Sequence, residues 1–213
     1  MARNFGEACR GRVGAYVPAM LRPLLVVAVV LAPGVASAQL TTYPLTDDSV
    51  VRFECAGEEV DDPATGRFTA VSGRLEANPE RLGGARGTVE VVLASITSDS
   101  AAWDTMFRHA PFLAIDEFPR ARFDVRRITG ATRLPDGEWT RVRLEGRMRL
   151  HGVQRDMTVP ARARYTAGQS KIEIHASFDL PWSDFSIRVP TGRTRRFAGD
   201  RARVRVELTF RTR

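Results

Sequence analysis

From residue 39 onward, apolar and polar side chains alternate with a period of two along most of the chain. Residues 141–150 show it most cleanly: Val142, Leu144, Met148 and Leu150 share one face, while arginines and Glu145 fill the other. A helix would spread these charges round its circumference, whereas a strand separates them into a wet face and a dry face. The C-terminal stretch repeats the pattern, with Val204, Val206, Leu208 and Phe210 set against Arg203, Arg205, Glu207 and Thr209. Further runs carry Val51/Phe53/Cys55, Val89/Val91/Leu93, Ala121/Phe123/Val125, Met157/Val159/Ala161/Ala163 and Ile172/Ile174/Ala176/Phe178. With residues 66–76 these make eight strands.

Strands with one wet and one dry face, following each other without long helices, pair antiparallel. The turns agree. His151-Gly152 predicts a tight hairpin between strands 139–150 and 154–165, and Pro135-Asp136-Gly137 and Ala167-Gly168-Gln169-Ser170 are turn chemistry as well. Between Phe68 and Val71 the apolar phase slips beside Gly73, which predicts a β-bulge. Residues 98–108 break the period: Trp103, Met106 and Phe107 fall at helical spacing after Ser98 or Asp99 as cap, and Pro111 follows as a stop. The expected fold is therefore all-β, an eight-stranded antiparallel barrel with a short helix closing one end. A two-layer sandwich would show the same alternation.

The first 38 residues differ from the rest. Arg3, Arg10, Arg12 and Arg22 precede a nine-residue apolar run, 24–32, then Pro33-Gly34 and the small residues Ala36-Ser37-Ala38. That is the order of a secretory signal peptide, and the run falls short of the roughly 20 residues a spanning helix needs. Gln39 is then the expected mature start and the periplasm the expected compartment. Met20 begins a more ordinary signal than Met1 does. Without the signal, 175 residues remain, enough for one domain over 39–213, and the net charge falls from +7 to +4. That charge is almost all arginine, since Lys171 is the only lysine, and it is dispersed along every strand. Such a distribution suits transient contact with an anionic membrane surface and forms no nucleic-acid stripe. Cys9 leaves with the signal, so Cys55 is alone in the mature chain and is expected as a buried structural thiol.

Catalytic and cofactor motifs are absent from the sequence: it holds no Gly-x-Ser-x-Gly elbow, no Gly-rich phosphate loop and no His-Glu-x-x-His. His109, His151 and His175 are scattered, without the close spacing of metal ligands, and most carboxylates lie opposite arginines on wet faces. The reading is a non-enzymatic protein with no required cofactor and no metal site.

The order of five stretches resembles the YceI family of polyisoprenoid-binding proteins. They are residues 66–73 (GRFTAVSG), 91–96 (VVLASI), Asp104 with 112–123 (FLAIDEFPRARF), 144–153 (LEGRMRLHGV) and 183–185 (SDF). The resemblance spans about Thr42 to Leu208. It implies a lipocalin-like barrel, exported to the periplasm, whose long pocket takes a polyisoprenoid chain, an isoprenyl diphosphate or a quinone-type tail. The sequence departs from the family pattern at Trp103 and Trp182, which stand where arginine is usual, and at Ser186, which replaces a glycine.

A bound isoprenoid lipid would lie against the dry faces. The expected lining is Phe53, Phe68, Val91, Phe123, Leu144, Met148, Ile174, Phe178, Phe185 and Val206. Gly146, within a dry face, leaves space for a ligand or relieves crowding at a bend. Arg193, Arg195 and Arg196 are candidates for the mouth, pairing with a phosphate or carboxylate, and Trp103 and Trp182 for its aromatic walls. The chain is compatible with a homodimer. Two other functions stand beside lipid binding: an enzyme acting on such a lipid, which needs a polar group among the dry residues, and a ligand-free envelope or stress-response protein acting through its surface.

Overall fold

The computed structural model describes residues 39–55, 64–110, 112–188 and 200–212. The expected signal segment, 1–38, and the basic stretch with Arg193, Arg195 and Arg196 lie outside the described residues. The strands are β1 Thr41–Pro44, β2 Val50–Cys55, β3 Ala64–Phe68, β4 Val71–Ala77, β5 Arg86–Val92 and β6 Ile96–Ser98. They continue as β7 Arg120–Thr129, β8 Thr140–Leu150, β9 Val153–Thr166, β10 Lys171–Pro181 and β11 Arg201–Arg211, with one helix, α1, at Ala101–Arg108. Among the described residues they form one antiparallel sheet in the order β1-β4-β5-β7-β8-β9-β10-β11-β2-β3-β6. The sheet curls far enough for Leu45, just after β1, to bridge Phe210 of β11, and Thr46 N–H donates to Thr209 O at 2.9 Å.

The expected eight strands are therefore corrected to eleven among the described residues. β1 escapes notice because Thr-Thr-Tyr-Pro has a single inward apolar residue, Tyr43. Residues 66–76 are not one bulged strand: β3 pairs with β2 and β6, whereas β4 pairs with β1 and β5. The apolar phase slip marks this exchange of partners at Thr69–Ala70. The register shift lies instead in β7, between Val125 and Arg127 opposite β8. β6 is a further piece, set off from β5 by a 3-10 turn at Leu93–Ser95. Short segments of this kind are what a tightly coiled sheet produces, because a long strand cannot keep one straight ladder round a small radius.

The helix begins one or two residues later than its sequence signal. Its N-cap is Ser100, not Ser98 or Asp99, because Ser98 still ends β6 and donates its N–H to Asp104 Oδ1 at 2.7 Å. Phe107 of α1 is buried and meets Phe53 and Phe112 at ring separations of 5.2 and 5.5 Å, both near edge-on, a favoured aromatic geometry. These residues belong to one apolar cluster with Trp182 and Phe185; a second cluster, around Leu75, Leu134, Ile172 and Phe210, fills the other end of the curl.

Between β8 and β9 the chain reverses through His151-Gly152, with φ of +50° and +73°. Positive φ at both central residues is what a primed two-residue hairpin turn requires. The outer faces carry cross-strand ion pairs such as Arg147–Asp156 at 2.7 Å, Arg164–Glu173 at 2.8 Å and Arg203–Asp179 at 3.1 Å. They lie on the wet face, where water and salt screen the attraction and little net stability results.

Gly146 of β8 points inward opposite Val125, and a Cβ there would lie 2.3 Å from Asp124 O and 2.9 Å from the Phe123 ring. The missing side chain thus lets β7 and β8 close together at the bend, and it does not open space for a ligand. Gly146→Ala is expected to destabilise the fold by about 1–3 kcal/mol. Gly168→Ala, where a Cβ meets nothing within 4 Å, is expected to stay within about 0.5 kcal/mol of wild type. Urea denaturation of the two variants checks the contrast.

Candidate ligand-binding interior

Inward side chains on the middle of the strands behave differently from those at either end. Val89, Phe123, Met148, Phe178, Val204 and Val206 remain half-buried, while Leu144, Ile174 and Leu208 on one side and Leu150, Leu180 and Ala202 on the other are buried. Inward apolar residues that retain accessible surface face a void. The void follows from small inward residues at the same height, Ala121 and Ala176, which leave volume their neighbours do not fill, whereas Gly87 lets β4 approach, since a Cβ there would lie 2.8 Å from Arg74 O.

Two cavities result. One, of about 100 Å³, is lined by Val89, Phe123, Leu144, Met157, Phe178 and Val206 among others; the second, of about 90 Å³, lies toward α1 against Phe53, Phe68, Phe107 and Trp182. Val51, Val91, Ala121, Met148 and Val204 line both, so they form a waist between two lobes. Each lobe approaches the size of an apolar cavity known to stay dry and take one aromatic ring. Met148 is the most adaptable of the waist residues, being unbranched and half-buried.

Nine of the ten residues assigned to the lining from sequence fall on these walls. Phe53 and Phe68 line the lobe beside α1, Phe123, Leu144, Ile174, Phe178 and Val206 line the other, and Val91 and Met148 line both. Phe185 lines neither; it is buried in a 3-10 turn, Ser183–Phe185, that packs under β9. Trp182 is not a mouth residue: it is 6% exposed, inside the aromatic cluster, with Phe112 at 6.4 Å. Trp103 stands half-buried on α1, 6.5 Å from the Phe107 ring. Strand phase alone would also have found Met157, Val159, Ala176 and Val204, which share the inward phase of residues already chosen.

Polar chemistry is sparse inside. Ser49 is the one buried polar residue among those described, and it serves the backbone, accepting from Thr209 N–H at 3.0 Å. Among the described residues no three His, Cys, Asp or Glu side chains are placed to hold a metal ion. His151 Nδ1 lies 3.2 Å from Phe185 O, and His175 stacks on Trp139 at 4.4 Å on the outer face. Trp182 Nε1 and Arg108 Nε are buried without a hydrogen-bond partner.

An all-antiparallel sheet curled round an apolar, partly empty interior is the architecture of the lipocalin-like folds. Within that class the chain belongs to the YceI-like family, whose domain model matches residues 45–210. Solved structures agree on the fold. A polyisoprenoid-binding domain from Saccharophagus degradans, implicated in plant cell wall breakdown, aligns with a TM-score of 0.63 at 14% identity, covering 82% of this chain and 100% of that one. BcnA from Burkholderia cenocepacia gives 0.62 at 16% identity over 76% of this chain and 95% of its own. A YceI protein from Campylobacter jejuni gives 0.60 at 15% identity over 74% and 90%. No curated protein matches the sequence significantly.

Cys55, at the edge of the α1-side cluster, is 2% exposed, and burial pushes its thiol up to about 12, with the Glu54 carboxylate adding to the rise. In the unfolded chain the same thiol ionises near 9. Unfolding therefore releases a proton between these values, and the stability Cys55 contributes, complete below about pH 8, falls as pH rises through that window. At about pH 8 a thiol reagent is expected to label Cys55 no faster than the fold opens. Labelling at the rate of a free thiol would refute its burial.

Proposed function

We propose that this chain is an exported, periplasmic binding protein, not an enzyme, that holds an apolar chain ligand of the polyisoprenoid or quinone-tail type inside its curled sheet. The observation that carries the reading is the two-lobed apolar void, walled at mid-strand by inward residues that are not fully buried. Family membership supports it, as does the Saccharophagus degradans domain described as polyisoprenoid-binding. On this reading the sheet acts as a lipocalin-like barrel. The Leu45–Phe210 bridge draws the wall together at one end, and the β3–β6 pairing leads it back toward β5 at the other.

The driving force is removal of hydrocarbon from water, about 0.8 kcal/mol per buried CH₂. A chain bound this way needs no internal hydrogen bond, in keeping with walls that offer almost none. A ligand longer than one lobe must pass the waist, so Met148 has to move aside for it. Met148→Trp is expected to weaken binding of a fifteen-carbon prenyl alcohol by about tenfold or more, while thermal stability changes little because the residue borders empty space. Titration by calorimetry measures the first and a melting curve the second; unchanged affinity would mean that the chain does not cross the waist.

Two further outcomes bear on export and cargo. Intact-mass analysis of protein recovered from the periplasm is expected to place the first residue at Gln39. Native mass spectrometry of the same material is expected to show an apolar adduct that organic solvent removes. An adduct-free protein that also fails to take up prenyl compounds would favour a surface-acting envelope protein instead.

A further inference from the structure

The outer surface of β8 to β11 carries opposed arginines that no carboxylate of the described residues bridges; the Arg162 guanidinium lies over the Trp139 ring at 4.9 Å, a contact that leaves its charge without a counter-ion. Arg141 and Arg162 stand directly opposite each other across the β8–β9 ladder, and among the described residues neither makes an ion pair. Like charges in that position are destabilising. At two other opposed pairs a carboxylate resolves the conflict, whereas Arg67, opposite Arg52, is like Arg141 and Arg162 in having no ion pair among the described residues. The opposed Arg122 and Arg149 both reach Asp124, at 2.8 and 3.7 Å, and the opposed Arg52 and Arg205 reach Glu207 and Glu54, at 3.2 and 2.9 Å.

Arg141, Arg143, Arg162 and Arg205 surround a groove of about 680 Å³ whose floor is made of Pro160, Ala161 and Ser177. His175 also lines it, and the carboxylate at its edge, Glu207, is the one held by Arg52. The groove lies where the wall is weakest. The β9–β10 ladder runs from Lys171↔Thr166 only to Ala176↔Ala161, although β10 stays paired with β11 as far as Pro181↔Arg201 and β9 with β8 as far as Val153↔Leu150. Pro160 is the residue at which the ladder stops. Its pairing with Arg143 of β8 persists, and without an N–H it cannot donate toward β10. Beyond it a seam without ladder pairs runs between β9 and β10, and Met157 and Phe178 on its two sides both line the inner cavity. Ala176 and Val206 border the inner cavity and the outer groove alike, so a single layer of small residues separates them.

We infer that the interior ligand is an amphiphile whose anionic head, a phosphate, diphosphate or carboxylate, leaves through the β9–β10 seam and is bound outside by Arg141, Arg143 and Arg162. This rests on the reading that the chain of the ligand occupies the void. The head supplies the negative charge that the Arg141–Arg162 pair lacks, through charge-assisted hydrogen bonds of the kind guanidinium groups make to such anions.

The test compares farnesyl diphosphate, farnesol and inorganic diphosphate on wild-type protein and on the exposed-residue variant Arg143→Gln/Arg162→Gln, with circular dichroism confirming the fold. Wild type is expected to bind the diphosphate ester at least about tenfold more tightly than the alcohol, and inorganic diphosphate far more weakly than either. The variant is expected to lose that preference, with its farnesol affinity unchanged. Equal affinities in wild type, or a preference that survives the double substitution, would overturn the inference and leave interior binding standing. Inorganic diphosphate as tight as the ester would mark a free-anion site unconnected with the void and would also overturn it. Failure of both farnesyl compounds to bind would bring down the interior reading itself, and the inference with it.

Discussion

Curvature and side-chain volume oppose each other throughout this sheet. A small radius brings inward side chains from all strands toward one axis, so bulky residues at every inward position would collide, while small ones everywhere would leave no core. The chain divides the two requirements along the axis. Large apolar residues such as Phe107, Phe112, Leu134 and Phe210 are buried at the ends, where α1 and the loops meet the sheet. At mid-height Gly87 and Gly146 allow the strands to approach, while Ala121 and Ala176 leave the larger residues beside them without complete packing. The void follows from how the curl is made.

Much of this was legible in the sequence because period-two alternation is a direct record of which side chains share a face. Six of the eight runs found that way lie wholly on one strand; the run through Val89 and Val91 leaves β5 only at Leu93, residues 66–76 span β3 and β4, and His151-Gly152 turns as its chemistry requires. What alternation does not record is pairing. The slip between Phe68 and Val71 is equally well explained by an extra residue in one ladder or by a change of ladder, and only the partners of β3 and β4 tell the two apart. β1 and β6 are too short for a period to appear, and each is marked only by its ladder, with β4 and β3 respectively. The cap of α1 was misplaced for a related reason: Ser98 has the right chemistry, but pairing with Gly66 keeps it in β6.

The interior was readable to the same extent as the faces. Residues chosen for inward phase line the cavities when they sit on long strands; Phe185 does not, because it falls in a 3-10 turn where phase has no meaning. Trp182 looked like a mouth residue by its neighbours in sequence, yet its position just past β10 folds it under the aromatic cluster. The outer groove could not be seen at all in one dimension. Arg141 and Arg162 are ordinary wet-face arginines until register sets them opposite each other, and Pro160 is an ordinary interruption until its neighbours show on which side the ladder fails.

Stability and binding therefore occupy different heights of the same wall. Buried clusters at the two ends supply most of the apolar burial, and among the described residues, where Cys55 is a free thiol and no disulfide occurs, the fold depends on them. Residues around the void contribute less, since part of their surface stays accessible in the empty protein. Substitutions there alter what the interior admits at small cost in folding free energy, whereas truncation at Phe112 or Leu134, which are buried and line neither lobe, removes core. The seam extends this division into the backbone: β9 gives up part of one ladder at Pro160 while keeping its other ladder with β8 intact to Val153. A wall held on one side only can part locally while the strands that enclose the interior stay paired.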